Sequence, residues 1–279
     1  MLENTELINT INDIATLAGH EIMAVYTNAG SIAVRNKEDD SPLTEADTRA
    51  NDLICTALQQ LTPGIPILSE ETTLTPFAQR QHWQEYWIID PLDGTKEFID
   101  RNGEFTVNIA LIRNGAPVLG VVHAPVSGTS WFGVIGLGAW KRGENSALEH
   151  IKTRAFEGEL IQSTIKVVAS RRHGSVALES MLDRLASRFA AVEMLVVGSS
   201  LKFCMLAEGK ADFYPRLAPT SEWDTAAAQA VLEAAGGKVM KTDYTTLRYN
   251  GKDDILNPHF LAIGDARLDW QRVLDGKGN

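Results

Sequence analysis

Trp87-Ile88-Ile89-Asp90-Pro91-Leu92-Asp93-Gly94-Thr95 runs from a short apolar segment straight into two carboxylates, a proline, a glycine and a threonine. Residues Tyr86 to Ile89 are β-branched or aromatic, which predicts a buried strand. Pro91 cannot donate to a sheet ladder and is expected to stop that strand. Gly94 permits the tight backbone that turns Thr95 back towards the acids. Asp90 and Asp93 then sit together at a strand's carboxyl end, where open α/β sheets place their ligands. Two like charges held so close are costly unless a cation lies between them or one takes a proton. A plain surface turn uses the same residue types, so the rest of the chain has to discriminate.

A second short apolar strand, Ile65-Pro66-Ile67-Leu68, repeats the pattern and runs into Ser69-Glu70-Glu71. Upstream, Leu7, Ile8, Ile11, Ile14, Ala15, Ala18, Ile22 and Val25 recur at helical spacing. A short strand is expected from Ser31 to Arg35, followed by the charged loop Lys37 to Leu43. Thr44-Glu45-Ala46-Asp47 opens another helix, in which Thr44 and Asp47 resemble a capping box with aspartate in the glutamate's place. Capping alone would account for Asp47. Thr62-Pro63-Gly64 ends this helix.

Beyond the central motif, Thr106 to Ile112 and Pro117 to His123 are strand-like and joined by Arg113-Asn114-Gly115, which is hairpin chemistry. Ser130 to Trp140 adds further strand, so the first half predicts an antiparallel-rich sheet. The polar stretch Asn145 to Ser163 marks a boundary between subdomains of about 1–155 and 156–279 within a single domain. After it, expected strands at Ile165–Ala169, Val192–Val197 and Ala211–Tyr214 alternate with helices at Val176–Phe189, after Gly198 to Ala207, and at Trp223–Ala235. Extended structure restarts at Lys238 to Met240.

The 279 residues are 44% hydrophobic, ample for a core, and the 26 basic against 36 acidic side chains give a net charge of −10. Such a balance argues against binding a nucleic-acid backbone. It is compatible with a small phosphorylated substrate if a metal ion supplies positive charge. Cys55 and Cys204 lie in apolar helical patterns and read as buried thiols of a reducing compartment. The polar opening segment does not resemble a secretory signal, and the most apolar window, Trp131 to Trp140, is too short to span a bilayer. The expectation is a soluble cytoplasmic protein, with peripheral attachment to the cytoplasmic face of the inner membrane left open. A monomer and a homodimer fit equally.

Glu70, Asp90, Asp93 and Asp224 are the acids expected to converge. Asp224, in Glu222-Trp223-Asp224-Thr225-Ala226-Ala227, falls at the expected first turn of a helix, where a carboxylate also complements the dipole. An all-oxygen site without cysteine or paired histidine selects hard cations, magnesium rather than zinc. Gly198-Ser199-Ser200-Leu201-Lys202 is read either as a glycine-led turn offering helix amides to an anion or as an ordinary serine N-cap. Ser170-Arg171-Arg172-His173 and Tyr214-Pro215-Arg216 also end strands with cations. Three basic strand ends in an acidic chain suggest a pocket for a multiply charged anion.

With Asp90-Pro91-Leu92-Asp93-Gly94-Thr95 and Trp223-Asp224-Thr225-Ala226-Ala227 in this order, the sequence resembles the lithium-sensitive, magnesium-dependent sugar phosphatase superfamily, which includes the inositol monophosphatases. Lys96-Glu97-Phe98-Ile99, the run Arg101 to Ile112, Gly198 to Cys204 and Tyr214-Pro215-Arg216 are similar to the CysQ-type 3'(2'),5'-bisphosphate nucleotidases. Inositol monophosphatases typically carry an asparagine-containing segment where this chain has Lys96-Glu97-Phe98. The resemblance implies an α/β (α+β) chain in five αβαβα layers, with an antiparallel-rich first sheet and a second, mixed sheet. It also implies hydrolysis of the 3'-phosphate of adenosine 3',5'-bisphosphate, and of its sulfated counterpart, in sulfur assimilation.

Carried over position by position, Glu70, Asp90, Asp93, Asp224 and the Leu92 carbonyl would hold two or three Mg2+ ions. Asp47 and Thr95 would orient or deprotonate the attacking water, with Glu70 beside them. Gly94 and Thr95 amides would grip the scissile phosphate, and Ser199, Lys202 and Arg216 would contact the nucleotide. Inositol phosphate is the alternative substrate. Aspartyl-phosphate phosphatases use acids two apart on extended chain, a geometry that the three-residue spacing of Asp90 and Asp93 fits poorly. A non-catalytic anion- or metal-binding module is disfavoured by the joint presence of Asp47, Thr95 and every ligand.

Overall fold

A computed structural model describes residues 4–28, 34–36, 42–169 and 176–275. Most of the expected strand Ser31 to Arg35, the loop from Lys37 to Ser41 and the basic Ser170-Arg171-Arg172-His173 lie outside the described residues. The first half contributes helices α1 (Asn4–Tyr26), α2 (Glu45–Leu61), α3 (Phe77–Arg80) and α4 (Thr95–Ile99). Its strands are β1 (Val34–Asn36) and β2 (Pro42–Thr44), then β3 (Ile67–Ser69), β4 (Glu85–Asp93), β5 (Thr106–Arg113), β6 (Ala116–Ala124), β7 (Thr129–Val134), β8 (Gly138–Arg142) and β9 (Glu149–Ile151). β3 to β9 form a seven-stranded sheet in sequence order, parallel only between β3 and β4. The expected strand Ser130 to Trp140 is in fact two strands, β7 and β8, folded back on each other.

The second half adds β10 (Thr164–Ala169), α5 (Val176–Ala186), β11 (Ala191–Val196), α6 (Leu201–Ala207), β12 (Phe213–Arg216), α7 (Ala226–Ala234), β13 (Lys238–Lys241), β14 (Phe260–Ile263) and α8 (Trp270–Asp275). Its sheet has the order β11-β10-β12-β14-β13, with parallel pairs at β10–β11 and β10–β12 and antiparallel pairs elsewhere.

Three apolar cores separate the layers. One packs α1 and α2 on the first sheet through Ile11, Ile22, Ile54, Trp87, Ile89 and Leu111. Another fills the space between the two sheets, where Tyr86, Ile88, Val122, Phe203, Ala227, Val231, Tyr214 and Phe260 meet around α6 and α7. The last joins the far face of the second sheet to α5 and α8 through Val167, Leu185, Phe213, Trp270 and Leu274. The order is therefore helices, sheet, helices, sheet, helices. Tyr86 to Ile89 reads as an unbroken apolar run because alternate side chains enter different cores, so both faces of β4 are buried.

β4 does not stop at Pro91. It continues to Asp93, with a register shift between the pairs Asp90–Asn108 and Asp93–Thr106. β3 pairs with β4 only as far as Ile89, and Pro91 lies inside the bulge, so no ladder bond is lost for want of its N–H. The extra residue bends the strand end and brings Asp90 and Asp93 to one rim.

α7 approaches the first sheet unusually closely. A Cβ on Gly120 of β6 would stand 2.2 Å from the Ala227 carbonyl oxygen, and one on Gly133 of β7 would stand 2.9 Å from Ala234 Cβ. Bare glycine backbone beneath an alanine-rich helix permits this contact, and it fixes the start of α7 against the sheet that carries β4.

Candidate metal and phosphate site

Glu70 follows β3, Asp90 lies on β4, and Asp224 lies just before α7. One carboxylate oxygen from each falls within 4.8 Å of the others, the arrangement of a cation site built from hard oxygen donors. Asp93 lines the same cavity of about 270 Å³, with Leu92, Gly94 and Thr95. Asp90 is buried, and burial pushes its carboxyl well above the usual range, reinforced by the negative charges of Glu70, Asp93 and Asp224. Asp224 is raised for the same reasons, burial first, then Asp93 and Glu70. A divalent cation among these oxygens would reverse both effects. The donor set therefore fits a hard metal ion.

Asp224 sits one residue before the N-cap Thr225, rather than in the first turn of a helix beginning at Trp223. Tight turns explain the offset: Asp224 N donates to Ser221 O, and Thr225 and Ala226 N donate to Glu222 O. Asp224 Oδ2 in turn accepts from Ser221 N at 2.9 Å. At the other end of the site, Asp90 Oδ1 accepts from Leu92 N at 3.0 Å, which shapes the bulge.

Asp47 is 1% exposed and reaches both Thr44 and Thr95. Its Oδ2 accepts from Thr44 N at 2.8 Å and from Thr44 Oγ1 at 2.6 Å, completing the capping box of α2. Its Oδ1 lies 3.3 Å from Thr95 Oγ1, which is also 3.3 Å from Leu92 O. Capping is thus only half of what Asp47 does. Gly94, at φ 94°, takes the left-handed conformation that starts α4 and brings Thr95 to face Asp47.

A second cavity of about 230 Å³ opens beside the carboxylates and shares Asp93, Gly94, Lys96, Glu97 and Asp224 with the first. Ser199, Lys202, Tyr214 and Arg216 form its far side. Lys202 is buried, donates to Ser199 O at 2.6 Å, and stands 5.4 Å from the centre of the Tyr214 ring. Burial pulls its ammonium down to about 8, opposed by the charge of Asp93. Arg216 donates to Pro219 O at 2.9 Å and Ala218 O at 3.2 Å. Ser199 has φ 42°, and its buried Oγ has no hydrogen-bond partner. A left-handed backbone and an orphan hydroxyl at a cavity wall make Ser199 a candidate binding position.

The Gly198 turn fits neither an anion-offering nor a serine-capped reading. Gly198 N donates to Glu104 Oε2 and Ser200 N to Asp93 Oδ2, each at 2.7 Å, and no serine side chain caps α6. The chain's own carboxylates satisfy these amides. The sequence assigns no role to Glu104 or Asn108 and reads Ser200 only as a cap or anion-offering turn; the contacts of all three arise from pairing across 92 to 107 positions. Only the proximity of their strands to the motif could have signalled them.

The profile of the inositol monophosphatase family matches residues 3–277. This chain is 46% identical over 254 residues to the 3'(2'),5'-bisphosphate nucleotidase CysQ of Salmonella typhimurium, covering 91% of this chain and 98% of that protein. It is 34% identical over 271 residues to the CysQ of Haemophilus influenzae, covering 97% of each. Among solved structures, CysQ from Bacteroides thetaiotaomicron superposes with a TM-score of 0.81 at 40% identity, covering 95% of this chain and 99% of that one. Inositol monophosphatase from Anabaena superposes with a TM-score of 0.71 at 26% identity, covering 98% and 96%. On a match across almost its whole length, this chain belongs to the inositol monophosphatase family.

Proposed function

We propose that this protein is a magnesium-dependent phosphomonoesterase that converts adenosine 3',5'-bisphosphate and water to AMP and inorganic phosphate. The observation that carries the reading is the trio Glu70, Asp90 and Asp224 beside a cavity walled by Lys202, Tyr214 and Arg216. Its relatives named 3'(2'),5'-bisphosphate nucleotidase CysQ support the nucleotide as substrate.

Glu70, Asp90, Asp93, Asp224 and the Leu92 carbonyl would hold two or three Mg2+ ions, which would supply charge neutralisation and a more acidic water. Water oxygen attacks phosphorus and the bond to the ribose 3'-oxygen breaks; the water gives up one proton towards Thr95 and Asp47, and the departing 3'-oxygen takes up one from solvent. Thr95 Oγ1 accepts a hydrogen bond from the attacking water while donating its own proton to Asp47 Oδ1. Asp47 is fixed for this by the two Thr44 donors on its other oxygen. Gly94 and Thr95 amides hold the phosphoryl oxygens, while Ser199, Lys202 and Arg216 receive the nucleotide and its second phosphate. Positioning and charge neutralisation are what phosphoryl transfer chiefly demands, so no serine or cysteine nucleophile is needed.

The test is phosphate release in Mg2+ from adenosine 3',5'-bisphosphate, inositol 1-phosphate and fructose 1,6-bisphosphate at equal concentration. Preference for the nucleotide, inhibited by lithium, is expected. Preference for inositol 1-phosphate would leave the carboxylate site standing and overturn the assignment of the basic wall.

A further inference from the structure

Ser200 touches both halves of the carboxylate site without being part of it. Its backbone N–H donates to Asp93 Oδ2 at 2.7 Å, and its hydroxyl donates to the backbone carbonyl of Asp224 at 2.9 Å. The same hydroxyl accepts from Asn108 Nδ2 at 2.9 Å, and that amide nitrogen also lies 3.4 Å from Asp93 Oδ2. Thr106 Oγ1 lies 3.4 Å from the same oxygen and 3.1 Å from Asn108 Oδ1, so neighbours of β5 brace the arrangement. Ser200 is 1% exposed, so no solvent competes for these bonds.

The geometry points to Ser200 as a positioning residue that sets the separation of Asp93 and Asp224, and with it the affinity for the divalent cation. The inference rests on the ligand assignment proposed above. Asp93 belongs to the first sheet and Asp224 to the turn before α7, and both acids repel each other. Ser200 holds Asp93 by that residue's side-chain oxygen and Asp224 by that residue's peptide carbonyl, which fixes the backbone of Asp224 relative to Asp93, while Ser221 N orients the Asp224 carboxylate. With Oδ2 of Asp93 engaged by these donors, Oδ1 is the oxygen left to ligate. Groups that orient ligands in this way typically alter metal affinity 10- to 100-fold when removed.

Removing the hydroxyl in Ser200→Ala keeps the amide bond to Asp93 and releases the Asp224 peptide. Calorimetric titration of Mg2+ into the metal-free full chain should show its dissociation constant raised about tenfold. At saturating Mg2+, KM for the nucleotide should stay within about two-fold of wild type, since Ser200 is only 1% exposed where it lines the second cavity and Ser199, Lys202, Tyr214 and Arg216 are unchanged. Ser200→Cys, whose thiol fills the place of the hydroxyl with a slightly larger atom but donates weakly, should show the same rise in dissociation constant and serves if Ser200→Ala does not fold. A lower melting temperature in EDTA with an unchanged Mg2+ dissociation constant would make Ser200 merely structural and overturn the inference. Failure of the wild type to bind Mg2+ would overturn the ligand assignment and this inference together. Binding by the wild type with no change in either variant would overturn this inference alone.

Discussion

Thr95 Oγ1 lies 3.3 Å from Asp47 Oδ1, although 48 positions separate the two residues. The helix cap and the pair proposed to activate water are therefore one group. Asp47→Asn keeps the shape and an oxygen for Thr44 but removes the proton acceptor. Its kcat should fall about 100- to 10,000-fold, while loss of the charged cap should cost about 1 kcal/mol. Steady-state kinetics and thermal melts on the same preparation separate the two effects; wild-type kcat would rule out the pair as the proton route.

Asp90→Asn removes a charge from a site crowded by Glu70, Asp93 and Asp224. The metal-free fold should be at least as stable as wild type, because a buried repulsion disappears. Turnover should drop to background, and Mg2+ should no longer raise the melting temperature. Retained activity in this variant would end the ligand assignment.

Asp90 and Asp224 also give the metal-free protein a pH dependence of known sign. Their folded-state values lie above the ordinary 3.8, so the folded chain binds more protons than the unfolded one. Their contribution to stability is complete below 3.8 and is lost as pH rises through the raised values. Denaturant unfolding in EDTA should show this decline with rising pH, and saturating Mg2+ should abolish it. A decline of equal size with Mg2+ present would mean that the cation does not sit among these acids.

Gly120→Ala should be severe for a surface-independent reason. The new Cβ would meet the Ala227 carbonyl oxygen at 2.2 Å, and helix backbone cannot swing aside as a flexible side chain would. Displacing α7 should cost about 3 kcal/mol or more and should weaken Mg2+ binding by shifting Asp224. Melting temperature and calorimetric Mg2+ titration report the two consequences; an undisturbed Mg2+ affinity would show that α7 does not position Asp224.

The layers were legible because apolar periodicity is local: α1, α2, α5 and the strands from β4 to β6 all follow from spacing and turn residues. Asn114 and Gly115, at φ 51° and 72°, make the expected tight hairpin between β5 and β6. Pro91 misled because a bulge exempts proline from the rule that ends strands, and a bulge is visible only in the pairing. β14, whose antiparallel partners are the distant β12 and β13, and the short α8 give little local signal. The convergence of Glu70, Asp90 and Asp224 was legible as motifs, whereas Ser200 and Asn108 were hidden by distance along the chain.

The site's parts are mounted on different layers. Glu70 and Asp90 come from the first sheet, and α7 is pressed against that sheet at Gly120, whereas Lys202 and Arg216 come from α6 and β12. On the proposed assignment, substitutions in α6 or β12 that leave Ser200 in place should re-aim the choice of phosphate ester while the hydrolytic centre keeps its spacing. Such a scaffold is modular in inheritance: new substrates are reached by altering one wall, and the chemistry is handed on unaltered.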